Sequence, residues 1–106
     1  AGISAAIPGA KTDDIWSSMN KIIEETGAVG NSVGRLGHGV GLQLTEPPSH
    51  CPGDSTIISE NMVLTIEPSI EYKKGKMIVH EENIVVTRDG PLLITKRTPK
   101  EMPIIR

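Results

Sequence analysis

The chain has no phenylalanine, one tryptophan, one tyrosine and one cysteine among its 106 residues. Without aromatic bulk, a core must be assembled from Ile, Val, Leu and Met. A single thiol, Cys51, excludes an internal disulfide and with it the disulfide-stapled class of small secreted domains. No apolar run approaches the roughly 20 residues that cross a bilayer as a helix, and the first residues lack the order of a signal peptide. Neither sign of charge dominates: 11 basic and 13 acidic residues give a net charge of -2. No basic stripe offers a nucleic-acid surface, and no acidic tail marks disorder. These absences point to a cytoplasmic chain that forms one domain or part of one.

What is present is a clear punctuation of elements. Ala1 to Ala6 reads as the last turns of a helix, broken by Pro8-Gly9. Thr12 is the expected N-cap of the next helix, with Asp13 and Asp14 in the first turn, where the dipole favours negative charge. Ile15, Met19, Ile22 and Ile23 recur on one helical face; Glu24 and Glu25 read as solvated, and Gly27 as the stop. Gly30 to Gly41 is too rich in glycine for a helix or an ordinary strand, so backbone there approaches something closely or takes positive φ. Leu42 to Thr45 reads as a short strand and Glu46 to Gly53 as a loop. Met62 to Ile66 is a β-rich run ended by Pro68. Tyr72 to Lys76 reads as a hairpin connection with Gly75 at the turn, and Met77 to Thr87 as a second strand. Asp89-Gly90 signals a tight turn before a returning strand, Leu92 to Thr95, and the tail from Thr98 reads as extended. A helix followed by a mostly antiparallel sheet is an α+β pattern.

The chemistry concentrates on three short segments: Gly37-His38-Gly39-Val40-Gly41, Ile66-Glu67-Pro68 and His80-Glu81-Glu82-Asn83. Imidazole suits Zn, Mn, Fe or Co and is also a general base near neutral pH. The glycines beside His38 let a metal or substrate come close; the plainer reading is a histidine capping a glycine turn. Proline cannot continue a central strand, so Glu67 lies at a strand end, where it is either a site carboxylate or a surface glutamate. Glu81 and Glu82 point to opposite faces of a strand, so only one of them faces a given site, and His80 shares the Glu82 face. His50 and Cys51 read as structural, because adjacent side chains chelate one ion poorly and no second cysteine supports a zinc site. Arg35 either orients the glycine motif or pairs with a carboxylate.

Taken in order, Gly-His-Gly-x-Gly, Glu-Pro after an apolar run, and Glu-Glu-x-x-x-Val-Thr followed by Asp-Gly resemble the "pita-bread" hydrolases: creatinase, prolidase, aminopeptidase P and methionine aminopeptidase. The matching pieces run from about Ile7 to Gly90. The resemblance implies that residues 1–106 are the C-terminal half of such a catalytic domain, with a metal-binding aspartate pair in an N-terminal half that this sequence does not include. It implies metal ligation by His38, Glu67 and Glu81, catalysis by His38 and Glu67, and proton shuttling by Glu67. It also implies two divalent ions (Mn, Co, Zn or Fe) around a bridging hydroxide that cleaves an amide C–N bond. The implied substrate is a small peptide or small nitrogen compound, and the full-length form is expected to be a homodimer. No nucleic acid or membrane partner is implied, and this stretch alone is expected to be inactive.

The sequence departs from the pattern at Thr45, where metallopeptidases of this family carry a substrate-contacting histidine. Thr45 keeps a hydrogen-bonding side chain and is read as substrate-binding, but it cannot deliver a proton near pH 7. Ser69 replaces the glycine that usually follows Glu-Pro, and Val79 stands where prolidase-like members often have an arginine. With the Arg97 to Pro103 tail, these features look like the Xaa-Pro peptidase-like branch that includes ectoine hydrolase. The alternative is therefore a metal-independent hydrolase of a small nitrogen compound, like creatinase. A catalytically inactive binding module ranks third.

Overall fold

The computed structural model describes residues 1–30 and 34–105, with Asn31 to Val33 of the glycine-rich stretch and Arg106 outside the described residues. In chain order the elements are α1 (Gly2–Ala5), α2 (Thr12–Glu25), β1 (Val29–Gly30), β2 (His38–Gly39), β3 (Glu46–Ser49), β4 (Val63–Ile66), β5 (Ser69–Lys73), β6 (Lys76–Val79), β7 (Glu82–Val85) and β8 (Leu92–Leu93). The class is α+β with antiparallel strands, as the pattern of helix then alternating runs implies.

Helix α2 begins one residue earlier than Thr12 as a cap would set it. Lys11 is the N-cap, with an extended backbone, and its N–H donates to Asp14 Oδ2 at 3.2 Å. Thr12 is drawn into the helix because its side chain is used elsewhere: the hydroxyl donates to the Asp54 carbonyl at 2.7 Å. Its amide donates to the Thr56 carbonyl at 3.1 Å. The helix stops at Gly27, whose φ is +73° and whose N–H donates to the Glu24 carbonyl. Ile15, Met19 and Ile23 are buried, whereas Ile22 is half exposed at the margin of the apolar stripe.

The strands form two sheets. One has the order β3-β2-β4-β7-β8, the other β1-β5-β6. Leu64, Ile66, Ile84 and Val86 share one face of the larger sheet and meet Ile15, Met19, Ile23, Ala6, Leu36 and Ile58 in a single core cluster. At roughly 1.5–3 kcal/mol per fully buried aliphatic side chain, this seam holds helix to sheet. Gly2 lies within it: a Cβ there would stand 2.5 Å from Met19 Sδ, so α1 and α2 touch closely only because residue 2 has no side chain.

Three sequence-based boundaries change. Leu42 to Thr45 is a bend rather than a strand, with Leu42 and Leu44 exposed. The strand lies just after it, as β3, inside the segment expected to be a loop. Pro47 and Pro48 fit there because β3 is an edge strand, where missing N–H donors cost no ladder bonds. The long run from Met77 to Thr87 divides into β6 and β7, which belong to different sheets. The division falls at His80-Glu81, opposite the Glu67-Pro68 break.

That break is a change of sheet, not of register. β4 pairs β7 as Val63↔Val85 through Ile66↔Glu82. The His80 amide then donates to the Pro68 carbonyl at 3.1 Å, and β5 pairs β6 from Ser69↔Val79 onward. One long hairpin therefore runs from Val63 to Val85, turning at Lys74-Gly75. Its middle is where the candidate chemistry sits.

Candidate metal and acid/base site

Period-2 alternation decides which side chains share a face. Ile66 and Glu82 are paired and look toward the helices; Glu67 and Glu81, one step along, look the other way. Their backbone relation follows from the bonds around them. The Glu67 amide donates to the Leu36 carbonyl at 2.9 Å, so Glu67 turns its hydrogen-bonding edge toward β2. The β4–β7 register, continued one step past Ile66↔Glu82, sets Glu67 opposite Glu81.

His38 approaches from β2. It is 6% exposed. Its amide donates to the Thr65 hydroxyl at 2.9 Å, and Thr65 lies on the same face as Glu67, two residues before it. The ring is oriented by its own strand: Nδ1 lies 2.8 Å from the Gly39 carbonyl. A carbonyl only accepts, so Nδ1 carries the proton and Nε2 presents a lone pair. Nε2 faces Glu67 Oε2 at 3.5 Å and Thr45 Oγ1 at 3.5 Å. An imidazole lone pair, a carboxylate and a hydroxyl converge on one point.

The fit to a divalent cation is good at that point and incomplete around it. His38 Nε2 and Glu67 are the donor types that Mn, Co, Zn or Fe accept, and the Gly39 carbonyl fixes the imidazole as such sites require. Glu81 has the right face and register, but its side chain is exposed. Among the described residues no group of three or more His, Cys, Asp or Glu side chains is close enough together to hold a metal ion.

His80 and Glu82 stand together on the opposite face, with His80 Nε2 3.3 Å from Glu82 Oε1. Glu82 Oε1 also accepts from the Thr98 amide at 3.2 Å, tying the start of the tail to the sheet. Glu82, His80 and Arg97 line a cavity of about 250 Å³ with Ile3, Met19 and Ile66. Cys51 is half-buried and free. Arg35 is half-buried and has partners.

Two features escaped the sequence reading. Thr65 holds the His38 backbone, and strand parity could have found it, since it precedes Glu67 by two. His50, in a segment expected to be a loop, is fully buried. Burial pushes its imidazole down from 6.5 to about 4, with the His38 ring adding to the effect, while the Thr65 carbonyl and Asp54 oppose it. Asp54 organises the same region. Its carboxylate accepts from the Ser49 amide at 2.9 Å and the Thr56 amide at 2.9 Å. The Thr56 side chain first, and then these amides, hold it well below the usual carboxylate range.

Gly-His-Gly on β2, beside a long hairpin that carries Glu-Pro and Glu-Glu, is set in a mostly antiparallel sheet of the pita-bread class. The model of metallopeptidase family M24 matches residues 1–88, and the chain belongs to that family. It is 36% identical over 100 residues to the Xaa-Pro dipeptidase of Pyrococcus furiosus, covering 94% of this chain and 28% of that protein. It is 33% identical over 106 residues to the Xaa-Pro dipeptidase of Lactobacillus delbrueckii subsp. lactis, covering 98% of this chain and 29% of that one. Among solved structures, a Bacillus anthracis Xaa-Pro dipeptidase superposes with a TM-score of 0.84 at 31% identity, covering 98% of this chain and 29% of that one. The chain thus spans under a third of the length of these three relatives, and it corresponds to the C-terminal part of their pita-bread domain.

Proposed function

We propose that the chain supplies one side of the active site of a cytoplasmic hydrolase that cleaves an amide C–N bond, with Xaa-Pro dipeptides as the first substrate class. The observation that carries this reading is His38 Nε2 set 3.5 Å from Glu67 Oε2, with the ring held through Nδ1 by the Gly39 carbonyl. An oriented imidazole lone pair facing a carboxylate is what a divalent cation requires, and the β4–β7 register continued one step brings Glu81 to the same face. The relatives named as Xaa-Pro dipeptidases support the substrate class.

In this reading His38 Nε2, Glu67 and Glu81 hold the metal, with further carboxylates expected outside this chain. Bound divalent ions would polarise the scissile carbonyl and lower the pKa of water to near neutral. Glu67 takes the proton from the attacking water and passes it to the leaving nitrogen. The Gly39 carbonyl keeps the His38 ring from rotating. Thr45 offers a hydroxyl to the substrate beside the scissile bond.

One observation favours a second reading. Thr45 Oγ1 stands as close to His38 Nε2 as Glu67 does, which also suits an acid/base set acting on a small nitrogen compound without metal. Metal analysis of the protein purified from its own cells without chelator separates the two. About two Mn, Co, Zn or Fe per chain is the expected result. A folded, active protein without metal would overturn the first reading and leave the second.

A further inference from the structure

Among the described residues β2 meets β4 through one ladder pair, Gly39↔Leu64. Main-chain bonds on either side keep the same register. The Val40 amide donates to the Val63 carbonyl at 3.0 Å, and the Glu67 amide to the Leu36 carbonyl at 2.9 Å. His38 therefore falls opposite Thr65. Bonded positions recur every second residue in an antiparallel pair, so the regular partner of the His38 amide is the Thr65 carbonyl. The amide goes elsewhere. It donates to the Thr65 hydroxyl at 2.9 Å, and the two residues are not ladder partners. The Thr65 carbonyl lies against the preceding residue instead: a Cβ on Gly37 would stand 2.2 Å from its oxygen. Gly37 has a φ of +142°, which glycine adopts without strain. Water reaches neither partner freely, since Thr65 is 1% exposed and His38 6%. A buried amide thus depends on one side-chain oxygen. Valine would fill the same space in a buried strand, but only the hydroxyl accepts the bond.

We infer that Thr65 is a positioning residue: its hydroxyl, standing in for a main-chain carbonyl, sets the path of β2 at His38 and so holds Nε2 3.5 Å from Glu67 Oε2. Glu67 follows Thr65 by two residues, so the imidazole and the carboxylate are both placed from one short stretch of chain. The inference rests on reading His38 as a metal ligand.

The test uses the full-length protein carrying Thr65→Val, Thr65→Ser or Thr65→Cys. In metal-free Thr65→Val the His38 amide exchanges with solvent about tenfold faster, as the loss of one hydrogen bond implies. The Val40 amide, bonded to Val63 in the same ladder, keeps its wild-type rate. Affinity for Mn²⁺, measured by calorimetry, falls by about 10–100-fold, the usual loss when a residue supporting a ligand is removed. Thr65→Ser keeps the hydroxyl and returns both values toward wild type. Thr65→Cys offers only a weak acceptor and behaves as Thr65→Val, so the comparison stands even if the valine variant does not fold. Ile84→Val, on the neighbouring strand, controls for stability alone: it lowers Tm and leaves both values unchanged. A His38 amide as protected in Thr65→Val or Thr65→Cys as in wild type would overturn the inference. So would an unchanged Mn²⁺ affinity in those variants, or a Thr65→Ser protein that loses Mn²⁺ as fully as they do. Exchange is read without metal. Wild type that binds no Mn²⁺ would therefore defeat the metal reading, and the amide rates would still decide whether Thr65 holds His38.

Discussion

The β4–β7 register, continued one step past Ile66↔Glu82, sets Glu67 and Glu81 opposite each other, with His38 Nε2 3.5 Å from Glu67. Without a cation, that rung is a small liability. Replacing Glu81 with Gln relieves it, so Glu81→Gln protein free of metal gains about 0.3 kcal/mol, a value kept small by the exposure of Glu81 to solvent. With Mn²⁺ the order reverses: wild type is stabilised by ligand linkage, and the variant loses that gain. Thermal melts with and without Mn²⁺ measure both effects. A Glu81→Gln protein that Mn²⁺ still stabilises as fully as wild type would remove Glu81 from the ligand set.

At the scale of elements, the segment from β3 to Ile58 joins the sheet to the start of α2, and it titrates in two steps. His50 has a folded pKa below its ordinary 6.5, at about 4. The unfolded chain therefore binds the proton first, and stability present above pH 6.5 is lost as pH falls toward 4. A shift of that size corresponds to about 3 kcal/mol. Asp54 has a folded pKa below its ordinary 3.8, so its contribution is retained until the pH falls below that value. Urea unfolding at pH 7, 6 and 5.5 should show stability already dropping above the ordinary carboxylate range of about 4. In His50→Gln that early drop should be absent, leaving only the later one. An unchanged profile in the variant would assign the early loss to another group. The helix boundary belongs to this scale too. Lys11 rather than Thr12 caps α2 because Thr12 donates to the Asp54 carbonyl 42 residues away, and local capping preference carries no information about so distant a partner.

Across the whole molecule, order is uneven. β4 and β7 are buried against α2, whereas every residue of β6 is exposed. Tyr72, Met77 and Val79 are each about half exposed, so the β5–β6 arm has little packing of its own. Local opening should follow that difference. In hydrogen exchange, paired amides of the Ile70↔Ile78 region should exchange faster than those of Leu64↔Ile84, although both lie on the same hairpin. Equal protection in the two halves would mean that the arm is covered in solution. Among the described residues no helix is long and apolar enough to cross a membrane, in keeping with the absence of such a run in the sequence.

Legible in the sequence alone were helix α2 and its apolar face, the turns at Gly75 and Asp89-Gly90, and the three motifs that identify the family. These are local properties: periodicity, turn chemistry and residue type act over a few positions. It also determined that Glu81 and Glu82 part to opposite faces, because strand alternation needs no partner to be known. Only the tertiary structure decided that Met77 to Thr87 splits between two sheets and that Pro47-Pro48 lies in an edge strand. Only it decided that Thr65 carries the His38 amide and that His50 is buried behind Gly37. Each of these depends on backbone from a distant part of the chain arriving at a particular register. Hydrogen-bond geometry and burial fix that register, and composition and short-range pattern do not encode it.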